Sequence, residues 1–275
     1  MTFDELYLDK TSRVLLEAYR RQPQQGLLLS GVRGVGLGTI AQTLAREVVA
    51  HPTDIVTVTP DDAGTISIET VRSLYVTTRD ARQTKQVVIV GDIDAMSHDA
   101  QNAFLKLLEE PTDMTYFIAT THQLQLVLPT ILSRTQGVDI RPINDQDTQQ
   151  LLSARRVVDE STVRQLMFLA SGRPAELHRL IDDQELFTRS SQFVVDARAI
   201  LSGSPYDRLV RLAAYNDRSA AQQLVRTLAQ IVAFSLVSTS NERLVASAEV
   251  LEQTLDNLAH NGHVRTQLMA MAERL

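Results

Sequence analysis

Leu27-Leu-Leu-Ser30-Gly31-Val-Arg-Gly34-Val-Gly36-Leu37-Gly38-Thr39 is the stretch whose reading decides the fold. A short apolar run passes into a glycine loop and then into Ile40, Thr43, Leu44 and Val48 at helical spacing, which predicts a helix over Thr39 to Val49. Strand, glycine loop, helix is the order of a phosphate-binding loop. Glycines permit positive φ and close backbone approach, so amide N–H groups and a helix N-terminus face phosphate oxygens.

Laid on Gly31 and Gly36, the pattern G-x-x-x-x-G-K-[ST] calls for Lys at 37 and Ser or Thr at 38; the chain has Leu37 and Gly38. Lysine supplies a cation to the β- and γ-phosphates and the hydroxyl ligates Mg²⁺, and neither Leu nor Gly does either. Thr39 comes one residue late, a rotation of about 100° on a helix, which takes its hydroxyl away from the metal position. Arg33 is the cation in the loop, and nothing in the sequence places it on a phosphate. Gly31, Gly34, Gly36, Gly38 and Thr39 therefore form a phosphate-loop frame that is expected to be empty.

Working outward, Ile55–Thr59, Val87–Val90 and Tyr116–Thr120 are further β-like runs separated by amphipathic segments, including Asp99–Glu110 with Ala103, Phe104, Leu107 and Leu108 on one face. The alternation predicts a parallel sheet covered by helices. Val87-Val-Ile-Val90 is followed by Gly91-Asp92-Ile93-Asp94, so no acid directly follows the strand, and Asp92 stands where a water-polarising glutamate is expected, shorter by about 1.5 Å. After Pro142 the strand signal stops. Asp145–Ser153, Ser161–Ala170 and Pro174–Ile181 predict three short helices, and helical spacing such as Leu224, Leu228, Ile231 and Val232 continues to Leu275. The expected organisation is an α/β module over 1–143, a helical lid over 144–183 and a helical domain over 184–275.

Composition sets outer limits. The chain has 275 residues, 44% hydrophobic and 22% charged, which excludes wholesale disorder. A net charge of −6 argues against nonspecific attraction to a polyanion as the main driving force. With 0 Cys there is no disulfide and no thiolate zinc site, and the 6 His show no ligand spacing, so no metal or other cofactor is expected. The first ten residues lack a signal-peptide apolar region, and the longest apolar runs fall far short of the ~20 residues of a membrane span, so a cytoplasmic, non-membrane protein is expected. No repeat of fixed period is present.

The most specific motifs are Gln101-Asn-Ala-Phe-Leu-Lys-Leu-Leu-Glu-Glu-Pro111, then Phe117-Ile-Ala-Thr-Thr121, then Leu128-Pro-Thr-Ile-Leu-Ser-Arg134. In order and spacing they resemble the clamp-loader subunits of the AAA+ class, through about residue 180. The altered phosphate loop with a retained Ser133-Arg134, together with His51-Pro-Thr-Asp-Ile55 and Ile66–Arg72, is similar to the delta-prime branch of the bacterial DNA polymerase III clamp loaders. Thr135 replaces the family's usual Cys, the loop His122–Leu128 is about one residue longer than usual, and the Cys-rich zinc insert of many relatives is missing.

The resemblance implies a stator without ATPase activity of its own. Such a subunit assembles with gamma/tau-type ATPase subunits and a clamp-opening delta subunit, and through them acts on a sliding clamp and primed DNA. It also implies that Arg134, with Ser133, acts in trans at a neighbour's nucleotide and that the C-terminal helices form a ring-like collar. Taken alone, Arg134 reads as an ordinary surface ion pair. Thr120 and Thr121 read as strand-end hydrogen-bonding residues, Arg173 equally as a nucleotide sensor or a structural arginine, and Glu109-Glu110 as a helix end before Pro111. Two other readings stay open: a divergent ATPase that uses Arg33, Thr39 and Asp92, and a DNA-binding AAA+ adaptor.

Overall fold

The computed structural model describes residues 2–79, 84–112, 114–238, 241–260 and 262–275. Two compact units result, Met1–Asp182 and Asp183–Leu275.

In the first unit the elements run α1 (Lys10–Arg21), β1 (Gly26–Ser30), α2 (Leu37–Val48), β2 (Ile55–Val58), α3 (Ile68–Arg79), β3 (Gln86–Val90), α4 (His98–Glu109), β4 (Thr115–Thr121), α5 (Pro129–Leu132), β5 (Gln136–Asp139), α6 (Asp145–Ala154), α7 (Glu160–Ala170) and α8 (Pro174–Asp182). The five strands form one sheet in the order β2-β3-β4-β1-β5, every pair parallel. β1, β3 and β4 are buried on both faces, the reason they read as continuous apolar runs rather than as alternating ones. The two faces carry separate cores. Leu27, Leu29, Val87 and Ile89 pack with Leu16, Ile40 and Leu44 on one side, and Leu28, Val88, Val90 and Phe117 pack with Leu74, Phe104 and Ile131 on the other. Phe104 and Phe117 meet edge to face at 5.7 Å between ring centres.

The expected strands are present, each within about one residue of its reading, but β5 was not anticipated from the sequence. Gln136-Gly-Val-Asp139 holds one buried residue, Val138, and pairs on one side only, with β1. An edge strand with a single apolar residue has no periodicity to read. α2 begins at Leu37, two residues before the expected Thr39, because Leu37 extends the stripe Ile40, Ala41, Leu44, Ala45 by one turn. The three helices after Pro142 are present as α6, α7 and α8, capped by Asn144, whose side chain accepts from Asp147 N–H, and Asp159, which accepts from Thr162 N–H, with Pro174 opening α8.

The second unit holds α9 (Gln184–Ser202), α10 (Pro205–Leu212), α11 (Arg218–Ser238), α12 (Glu242–Ala259) and α13 (Val264–Arg274). Its core gathers Ala197, Ile200, Leu224, Val225, Leu228, Leu251, Leu258 and Leu268. Ser204 opens α10 with a reciprocal capping box to Asp207. The Tyr215 hydroxyl donates to Asp196 at 2.6 Å, and burial followed by that carboxylate raises the phenol's pKa. Among the described residues no helix is long and apolar enough to cross a membrane.

Candidate functional site

The carboxyl ends of β1, β3 and β4 open into the glycine loop, Gly91-Asp92 and His122 respectively, the edge where open α/β sheets bind ligands. In the loop Gly34 and Gly36 have left-handed φ of 92° and 99°, and Gly36 sits at the N-cap of α2 with no side-chain cap. Leu37, at the position of the phosphate lysine, is 3% exposed and part of the core, while Gly38 and Thr39 face solvent.

The loop is held from three directions by its own chain. Glu176 N–H, at the start of α8, donates to Gly34 O at 3.0 Å, and a Cβ on Gly34 would come within 2.9 Å of Glu176 Cβ. Arg173 Nη1 donates to Arg33 O at 3.4 Å. His122 Nδ1 stands 2.7 Å from Gly31 O; a carbonyl only accepts, so that nitrogen carries the proton. The other ring nitrogen lies 3.5 Å from Asp92 Oδ1, and Arg33 Nη1 lies 3.6 Å from Asp92 Oδ2. Asp92 takes a left-handed φ of 50°, and its N–H donates to Thr120 Oγ1 at 3.0 Å.

Beside the loop lies a small cavity of about 50 Å³ bounded by Leu6, Tyr7, Val35, Thr39, Pro174 and His178. That space has room for a water or two. No group of three or more metal-ligating side chains is found among the described residues.

Sequence reasoning left Arg173 evenly divided, and its contacts are structural. Its Nε donates to Ala170 O at 2.7 Å and its Nη2 to Leu169 O at 2.8 Å, satisfying the last carbonyls of α7. Burial lowers its pKa, opposed by the Glu176 carboxylate. Thr121 Oγ1 donates to Asp94 at 2.8 Å, and with Thr120 on Asp92 N–H both threonines bind the segment after β3.

Arg134 lies at the opposite end of the sheet. Its carbonyl would be 3.0 Å from a Cβ on Gly26, the first residue of β1, whereas the glycine loop leaves from the last. A five-residue strand separates the two by roughly 16 Å. The side chain is 40% exposed; its guanidinium lies 2.9 Å from Glu109 Oε1 and donates from Nη1 to Thr130 O and Ser133 Oγ, both at 3.2 Å. It borders a cleft of about 450 Å³ with Gln24, Gln25, Pro111, Phe117 and Gln136.

A role for Gln101 escaped the sequence reading. Buried on α4, it donates to Leu126 O at 2.9 Å and accepts from Leu128 N–H at 2.9 Å, fixing the loop that leads into α5 and Arg134. A glutamine inside an apolar helix face was the available signal.

Together these elements make an α/β fold, a five-stranded parallel sheet with helices on both faces and three short helices after it, followed by a separate helical unit. Residues 49–144 match the family described as DNA polymerase III, delta subunit. The chain is 28% identical to the DNA polymerase III subunit delta' of Pseudomonas aeruginosa over 188 residues, 58% of this chain and 57% of that one. It is 26% identical to subunit tau of Escherichia coli over 205 residues, 64% of this chain and 31% of that one. It is also 32% identical to an uncharacterized Mycoplasma pneumoniae protein, the MG007 homolog, over 103 residues, 35% of this chain and 39% of that one. Each match thus spans less than two thirds of the relative's length. A crystal structure of a DNA polymerase III gamma subunit-related protein from Thermotoga maritima superposes with a TM-score of 0.59 at 19% identity, covering 94% of this chain and 99% of that one. Part of the chain is thus similar to DNA polymerase III delta' and tau subunits, and its fold, α/β with a helical C-terminal part, is that of the Thermotoga maritima structure.

Proposed function

We propose that the chain is a non-hydrolysing stator subunit of a DNA polymerase III-type clamp loader. It assembles with gamma/tau-type ATPase subunits and a clamp-opening delta subunit and helps place a sliding clamp on primed DNA. Homology to delta-prime and gamma/tau subunits supports the replication role.

The observation that carries the finer reading is the separation of the two functional ends. The chain's own glycine loop is packed against α8 and has a core leucine in place of the lysine, while Arg134 is exposed roughly 16 Å away at the far end of β1. An arginine so placed serves a nucleotide on another subunit, where it stabilises charge on the transferred phosphoryl group. In related phosphoryl transfer such an arginine is worth roughly 10³–10⁵ in rate. The helical unit 183–275, which exposes Tyr206, Val210 and Phe234, is the part we assign to assembly.

The test is the clamp- and primer-DNA-stimulated ATPase of a loader reconstituted without the chain, with it, and with its Arg134→Ala variant. Stimulation by the chain that is lost in Arg134→Ala, with no turnover by the isolated chain, is the expected result. Turnover by the isolated chain overturns the stator reading in favour of a divergent ATPase, and a loader indifferent to the chain favours an adaptor.

A further inference from the structure

We infer that Glu109 is the resting partner of Arg134, from which the guanidinium is drawn away only by an incoming γ-phosphate, so that engagement of the arginine depends on a nucleoside triphosphate. The inference rests on the trans-arginine reading above.

Three observations carry it. First, the carboxylate and guanidinium are 2.9 Å apart and both are 40% exposed, so the pair forms at little desolvation cost and separates at little cost. Second, Glu109 is the last residue of α4 and Glu110 follows at the C-cap, the end where the helix macrodipole disfavours negative charge. An acid there does nothing for the helix, and what Glu109 gains in exchange is Arg134. Third, Arg134 is already oriented by Thr130 O and Ser133 Oγ through Nη1, so Glu109 is not needed to hold the side chain in place. Glu109 competes for Nη2. Arg134 also borders the open 450 Å³ cleft, and Glu109 is not part of that lining, which leaves the guanidinium an approach free of the carboxylate.

A terminal phosphoryl group carries more negative charge than a carboxylate and three acceptor oxygens, so it outcompetes Glu109 for the fork of N–H donors. A diphosphate leaves the γ position vacant, and the arginine returns to Glu109. Glu109 is thus a positioning residue that acts through Arg134, and its competition subtracts from what the arginine gains on a triphosphate while leaving a diphosphate unaffected.

The experiment uses the reconstituted loader with four forms of the chain: unaltered, Glu109→Gln, Arg134→Ala and the double variant. Glutamine keeps the shape and a hydrogen-bond acceptor and removes the charge. Glu109→Gln is expected to raise kcat/KM for ATP by about two- to fivefold, the worth of an exposed ion pair. Inhibition by ADP is unchanged, and Glu109→Gln has no effect once Arg134 is Ala. A fall in kcat/KM on Glu109→Gln, or the same change with and without Arg134, overturns the inference while leaving the trans arginine intact. A loader indifferent to Arg134→Ala itself overturns the reading beneath it.

Discussion

Restoring the two missing phosphate-loop residues, Leu37→Lys with Gly38→Thr, is the sharpest test of whether the site is closed by packing rather than by two substitutions. Gly38 tolerates the change: nothing lies within 4 Å of a Cβ there, and replacing glycine inside a helix is worth up to about 0.5 kcal/mol. Leu37 does not. It is 3% exposed beside Ile40 and Leu44, and exposing such a side chain forfeits about 1.5–3 kcal/mol before any charge is considered. A lysine either bends its stem out past Gly38 or leaves an ammonium in the core, so the total cost is about 2–4 kcal/mol. For a unit the size of residues 1–182, that lowers Tm by about 4–16 °C. The decisive measurement is the melting curve with and without 1 mM Mg²⁺-ATP. Were ATP bound with a Kd near 10 μM, that concentration would add about 2.7 kcal/mol, or about 5–11 °C. With α8 seated on the loop through Glu176 N–H on Gly34 O, the expected ATP shift is below about 1 °C. A rise of several degrees in the double variant, with none in Gly38→Thr alone, would refute the argument from packing.

Arg173→Ala removes the donors to Leu169 O and Ala170 O and is expected to cost about 1.5–3 kcal/mol, read as a lower denaturation midpoint, with any effect on assembled ATPase following from stability alone. Gly172→Ala should be worse, because φ is +71° and the new Cβ would lie 2.2 Å from Ile143 O; we expect a loss of about 3 kcal/mol or more, visible as poor soluble yield or a collapsed Tm. Phe104→Ala opens a cavity in a fully buried site against Phe117 and should cost about 3–5 kcal/mol in chemical denaturation. Asp159 is held down to about 2 from 3.8 by hydrogen bonds from Thr162 and Ser161. A folded pKa below the unfolded one means stability that is complete above about 4 and is lost as pH falls through 2. The acid limb should therefore flatten between those values in Asp159→Asn, followed by NMR of the α7 amides.

Much of the first unit was legible because its information is local. Val87-Val-Ile-Val90 reads as a buried parallel strand from its own side chains, and Asn144, Asp159 and Pro174 announce helix starts within three residues of what they cap. The same locality explains what was lost. β5 exists because β1 is beside it, and four residues with one apolar side chain carry no pattern that says so. The roles of Arg173 and Gln101 depend on partners up to 140 residues away.

By itself the sequence determined the sheet-forming runs, the glycine loop, the loss of the loop's lysine and hydroxyl, and the Ser133-Arg134 motif, because each is a statement about residue types at fixed spacing. Only the tertiary structure decided the strand order, the seating of α8 on the loop and the pairing of Arg134 with Glu109. It also decided that Arg134 and the loop occupy opposite ends of β1. These are distances between segments remote in the chain, and they arise only when burial of both sheet faces forces β1 between β4 and β5 and brings the lid down on the glycines.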